Sequence, residues 1–285
     1  MPLVFAALTP HPPIIVPEVG GAETKKVKKT ILAMEKLAED LAKSDPDTLI
    51  VISPHGLVYP DRFNVCGMEN LRGDLTNFNT PQVSFKFKND LDFAKVLDET
   101  ANKEGIETLL YDNRVDFYEL DHGVIVPLYF LTKKLEHSVK VVPIAYSLLS
   151  RASHFSFGQA ISDVINNLDK SEEKRVAIIA SGDLSHRLIC QAPAGFSPVG
   201  EKFDQKLISL LKQKKTAEIL DLDEDFVEEA GECGYRSILI LLGALDEERY
   251  TPEILSYEGP FGVGYLVANF KLKPSSDQDC GGRSE

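Results

Sequence analysis

Cysteine is scarce in this 285-residue sequence: Cys66, Cys190, Cys233 and Cys280 are scattered, and no two of them form a CxxC pair. That spacing excludes a disulfide framework and a thiolate zinc knuckle, and it fits a reducing cytoplasm. Basic residues are outnumbered, with 31 Lys and Arg against 44 Asp and Glu and a formal net charge of −13 at pH 7. So acidic a surface offers a phosphate backbone no sequence-independent attraction, which argues against nucleic acid as a partner. Long apolar runs are missing as well. The longest, residues 238–245, falls far short of the roughly 20 residues that span a bilayer. The opening MPLVFAALTPHPP has no basic start and is broken by Pro10, Pro12 and Pro13, so it does not read as a signal peptide and a membrane location is not expected.

What is present is a globular mixture, 43% hydrophobic and 26% charged, with length enough for a large core. Apolar runs at 3–8, 48–53, 139–146 and 175–181 read as buried strands, and weaker strand signals fall at 63–67, 83–87, 108–111, 253–257 and 263–270. Between them, three- and four-residue spacing predicts helices over 24–43, 90–103, 153–168 and 201–212. A further helix opens at 122 and carries Pro127 in its first turns; another follows GECG at 231–234. Strands alternating with helices predict a single α/β domain over residues 1–271, with a central, largely parallel or mixed sheet flanked by helices. Residues 272–285 read as a polar, disordered tail.

Six histidines are few, yet enough for a site. His137 and His154 have no special neighbourhood and read as surface or capping residues. His11 (TPHPP) and His55 (SPHG) each sit between a proline and a turn residue directly after a strand. Proline fixes backbone φ, so these loops preorganise their side chains. His186 lies just past a third strand, three residues after Asp183, and His122 follows Asp121 at a helix mouth. Both aspartates could cap their helices; a nearby carboxylate also draws a histidine toward acid–base work. In open α/β sheets ligands bind beyond the carboxyl ends of the strands, where these loops lie. Glu232 and Cys233 begin a helix, where either a carboxylate or a thiolate gains from the helix dipole. Two histidines and a carboxylate suit iron for oxygenation or zinc for hydrolysis, and spacing alone leaves both open. Phe196, Tyr257 and Phe261 read as core more readily than as pocket walls.

The motifs TPHPP (9–13), SPHG (53–56), DHG (121–123), SGDLSH (181–186) and GECG (231–234) together resemble the LigB-like, class III extradiol ring-cleavage dioxygenase family. The likeness runs from residue 3 to about residue 270. The segments HPPIIVPEVGG and SYEGPFGVGYLVA are similar to the dioxygenase-like domain of AmmeMemoRadiSam system protein A, and Memo-like proteins share the pattern. The resemblance implies an enzyme that cleaves a catechol or aminophenol ring with dioxygen. It also implies that Fe(II) is held by His11, His55 and Glu232, with His186 as the base and His122 as an acid or hydrogen-bond donor. Memo-like relatives carry a cysteine near the third ligand position, so Cys233 is the alternative to Glu232 and copper the alternative to iron. That second reading is a metal-binding or redox protein working with an AMMECR-type or radical-enzyme partner. A zinc-dependent hydrolase with His186 activating water is a third. The residues after 270 are too few for an AMMECR-type domain, and a homodimer is the default assembly for such a chain.

Overall fold

The computed structural model describes residues 2–113, 115–168 and 174–273. Four parallel strands form its centre: β1 (Leu3–Thr9), β9 (Val176–Ser181), β2 (Thr48–Ser53) and β8 (Lys140–Ala145), side by side in that order. Their sequences are almost continuously apolar because both faces are covered, and successive side chains leave on opposite faces. In β2, Ile50 and Ile52 enter one core, while Leu49 and Val51 enter the other. The first core is closed by α3 (Leu91–Lys103), α5 (Arg151–Asn166), α6 (Pro198–Gln213) and α9 (Tyr235–Ala244). The second is closed by α2 (Lys28–Ser44) and α4 (His122–Leu131).

Antiparallel strands extend the sheet at both sides. β11 (Tyr265–Leu272) pairs with β1 and β10 (Tyr250–Glu258) with β11. On the far side, β3 (Phe63–Cys66) pairs antiparallel with β8 and parallel with β6 (Thr108–Tyr111). Beyond them a ribbon of β4 (Asn70–Leu75) and β5 (Thr80–Lys88) carries the short β7 (Tyr118–Glu119). The result is a mixed, eleven-stranded sheet flanked by helices, as the alternation of strands and helices predicts. β4 and β7 carry no run that sequence patterning detects, because NLRGDL is half exposed and gains its place from pairing with β5. The acidic stretch after α6 holds two short helices, α7 (Thr216–Leu220) and α8 (Glu224–Ala230). α1 (Pro17–Gly20) is a single turn. β11 runs through Leu272, so ordered structure extends one residue past the expected boundary; the rest of the expected tail, from residue 274, lies outside the described residues.

Among the described residues no helix is long and apolar enough to cross a membrane. His154, read from sequence as a surface or capping residue, is wholly buried in α5 and packs edge-on against Phe63. The apolar neighbours Phe157 and Phe63 draw it inward, and its ring nitrogens face the carbonyls of Ser150 and Ser147. Phe196, expected in the core, is exposed.

Candidate metal centre

The three strand–loop–histidine units converge at the carboxyl ends of β1, β2 and β9. His11 Nε2 and His55 Nε2 stand 3.0 Å apart. His122, the first residue of α4, stacks on His55 with ring centroids 4.2 Å apart and meets His11 edge-on. Cys233 Sγ, just before α9, lies 3.6 Å from His11 Nε2 and 3.8 Å from His186 Nε2. Among the described residues two groups could each hold a cation, His11 with His55 and Cys233, and Asp183 with His186 and Cys233. In each the ligand atoms lie within 4.8 Å of one another.

Glu232 faces elsewhere. Its carboxylate accepts the N–H of Tyr235 at the first turn of α9, one of the orphan donors every helix start leaves, and burial pushes it up to about 7. The one-residue register at the start of α9 therefore brings the Cys233 thiol, and not the Glu232 carboxylate, to the histidines. The two aspartates that could have capped helices do other work. Asp183 accepts the backbone N–H of His11 at 3.0 Å and brings its second oxygen to 3.8 Å from His11 Nε2. Asp121 accepts the hydroxyl of Ser53 at 2.6 Å, and the same hydroxyl oxygen accepts the N–H of His55.

Pro127 in α4 has no N–H, so the carbonyl of Gly123, four residues earlier, lacks its helical donor. The Ser181 hydroxyl donates to that carbonyl. Its only proton is then committed, and the contact of 3.0 Å between His11 Nδ1 and Ser181 Oγ must have the imidazole as donor. With Nδ1 protonated, Nε2 of His11 presents its lone pair to the cluster, as a metal ligand must, and the second-sphere hydrogen bond fixes the ring. Two nitrogens each about 2.1 Å from one cation at near right angles would stand about 3.0 Å apart, which is the His11–His55 spacing. The donor set fits a bound transition metal.

Electrostatics agree. Burial, followed by the mutual repulsion of the rings, holds His11 far below the usual imidazole range and His186 below it. The same causes bring His122 to about 4. Burial also lowers His55, against the pull of Asp121. All four rings are neutral at pH 7, the form that binds metal. Burial pushes the Cys233 thiol well above its usual range, with Asp183 adding to it; a cation in the cluster offsets both effects.

The LigB family, the catalytic subunit of aromatic ring-opening dioxygenase, matches residues 5–268. The chain belongs to the LigB family. Protein CA_C1420 of Clostridium acetobutylicum is 39% identical over 265 residues, covering 91% of this chain, which spans 56% of that relative's length. The beta subunit of 2-aminophenol 1,6-dioxygenase from a Pseudomonas species is 23% identical over 95% of this LigB chain and 94% of its own. The crystal structure of the uncharacterized protein JW3007 from Escherichia coli K12 shares the fold at a TM-score of 0.63 and 17% identity, covering 94% of this chain and 99% of its own.

Sequence reasoning singled out all four clustered histidines but missed Ser53 and Ser181. Their signal lay in plain view, since each ends a strand that feeds a histidine loop. Tyr257 and Phe261 do not line the cavity beside the cluster. That cavity, about 990 Å³, is bounded instead by His55, His122, Phe78 of the turn between β4 and β5, Tyr111 at the end of β6 and Tyr118 in β7.

Proposed function

We propose that this LigB chain is an Fe(II)-dependent, extradiol-type dioxygenase that opens the ring of a catechol or 2-aminophenol, with His11, His55 and Cys233 holding the metal. The observation that carries this reading is the meeting of neutral imidazoles and a thiol, with two of the imidazoles, His55 and His122, bordering an aromatic-lined cavity. The 2-aminophenol dioxygenase relative supports the substrate class. Bound iron supplies a template for the ring's two ortho heteroatoms and dioxygen and a path for electron density between them. His186, neutral and partly exposed, accepts the proton from a ring hydroxyl at Nε2. His122, neutral above about pH 4, serves through its single N–H as a hydrogen-bond donor to oxygen and not as a reservoir of protons. Phe78 packs edge-on against His122.

The test is anaerobic loading with Fe(II), followed by oxygen uptake and the yellow colour of a ring-opened product across a panel of catechols and 2-aminophenols. Turnover is expected, and His11→Ala or His55→Ala abolishes both metal retention and turnover. An iron-loaded protein inert toward the whole panel would sink the reading. A thiol in place of the carboxylate of an iron facial triad favours a second reading. In it the site is Memo-like, binds copper or iron for redox work beside an AMMECR-type or radical-enzyme partner, and cleaves rings little. Copper as the metal in freshly isolated protein, without oxygen uptake, would select it.

A further inference from the structure

The cavity beside the histidines, at about 990 Å³, stands at the upper end of small-molecule sites, roughly 300–1,000 Å³. It holds far more than a bare six-membered ring, so its remaining walls choose the substituent. Phe78, Tyr111, Phe117 and Tyr118 supply aromatic surface, and Leu57 and Val115 leave exposed apolar side chains on the lining. Among the described residues the charged lining is of one sign. Asp74, Glu119 and Asp121 border the cavity, and among the described residues no lysine or arginine does. The Thr76 hydroxyl and N–H hold Asp74 below the usual carboxylate range, so it is ionised at neutral pH. Asp121 lies at the inner end on Ser53, where burial pushes it upward. Arg72 lays its guanidinium 4.8 Å from the centroid of Phe117 without bordering the cavity.

We propose that this cavity selects by charge: it accepts an aromatic whose ring substituent is neutral or cationic and disfavours one bearing a carboxylate. The inference rests on the ring-opening reading for the ring's ortho groups and adds the chemistry of the remainder. An anionic substituent would approach Asp74 and Glu119 with no described lining cation to pair with, whereas an ammonium gains from both and from the aromatic faces. The pairs act partly through solvent, so the effect is moderate and depends on salt.

Three catechols that differ in the charge of one substituent are the probes: dopamine (cationic), 4-methylcatechol (neutral) and 3,4-dihydroxyphenylacetate (anionic). Binding is measured by calorimetry under nitrogen with Fe(II) supplied, and oxygen uptake is measured separately. Dopamine and 4-methylcatechol are expected to bind roughly tenfold more tightly than the anion at low ionic strength, with the gap narrowing as salt rises. The double variant Asp74→Asn, Glu119→Gln should bring the anion to within about threefold of 4-methylcatechol. Binding of the anion as tight as that of the neutral probe, or weakened in Arg72→Ala, overturns the proposal, as does failure of all three to bind. The charge order without oxygen uptake leaves the selectivity standing and removes the ring-opening reading; oxygen uptake without the charge order does the reverse.

Discussion

The lone pair of His11 Nε2 depends on a relay of single hydrogen bonds that begins with a missing one. Pro127 frees the Gly123 carbonyl, Ser181 donates to it, and His11 Nδ1 therefore donates to Ser181. Ser181→Ala removes the group that sets the tautomer and should weaken metal binding by about 10- to 100-fold while the fold persists, read by competition with a chromophoric chelator. The same titration separates the two neighbours at the start of α9. Cys233→Ser is expected to cost roughly 100-fold or more in affinity. Glu232→Gln, which keeps an oxygen for the Tyr235 N–H, should leave affinity within about threefold and stability within roughly 1 kcal/mol. The opposite ranking would return the third ligand to Glu232. At this scale the sequence identified which histidines to watch because proline and turn residues fix their loops. It could not rank Glu232 against Cys233, since a shift of one residue at a helix start is decided by what the helix packs on.

Elements bring these residues together because parallel strands end at one edge and helices begin there. The loop after β9 crosses the start of α9 so closely that a Cβ on Gly182 would meet the Cα of Gly234 at 2.1 Å. The Asp183 carbonyl then accepts the N–H groups of both Cys233 and Gly234. The atoms that a Cβ on residue 182 would meet are all backbone of Gly234, so no side chain can yield. Gly182→Ala should separate the two segments, destabilise the fold by roughly 1–3 kcal/mol and release the metal, detectable as lost metal content in protein that still shows native circular dichroism. Retained affinity would mean that Cys233 is held by α9 alone. The α/β alternation was legible because buried strands and amphipathic helices have different periods. β4 and β7 were not, since short or half-exposed strands owe their place to pairing partners distant in sequence.

For the whole molecule, the buried polar group most telling for stability lies behind the site. Asp204 on α6 accepts the Ser185 N–H and the Tyr257 hydroxyl, inside the first core, and burial outweighs both bonds and pushes it up to about 7. A carboxyl with a raised folded pKa adds stability that is complete below its unfolded value, about 3.9, and is lost as pH rises toward its folded value. This group alone therefore withdraws stability on the order of 4 kcal/mol between about pH 4 and pH 7, while the buried histidines, with His122 and His154 brought to about 4, contribute in the opposite direction over the same range. Asp204→Asn, which imitates the protonated form, should raise stability at about pH 8 relative to about pH 5 when compared with the parent protein in urea titrations; an unchanged difference between the two pH values would show that Asp204 is ionised in the fold. The sequence by itself determined the α/β class, the acidic exterior and the histidine loops, because periodicity, composition and proline placement act locally. Only the tertiary structure decided that four of those histidines share one edge, that Cys233 faces them in place of Glu232, and that an acidic, aromatic cavity opens beside them. Each of those outcomes is set by contacts between segments far apart in the chain, which no local pattern encodes.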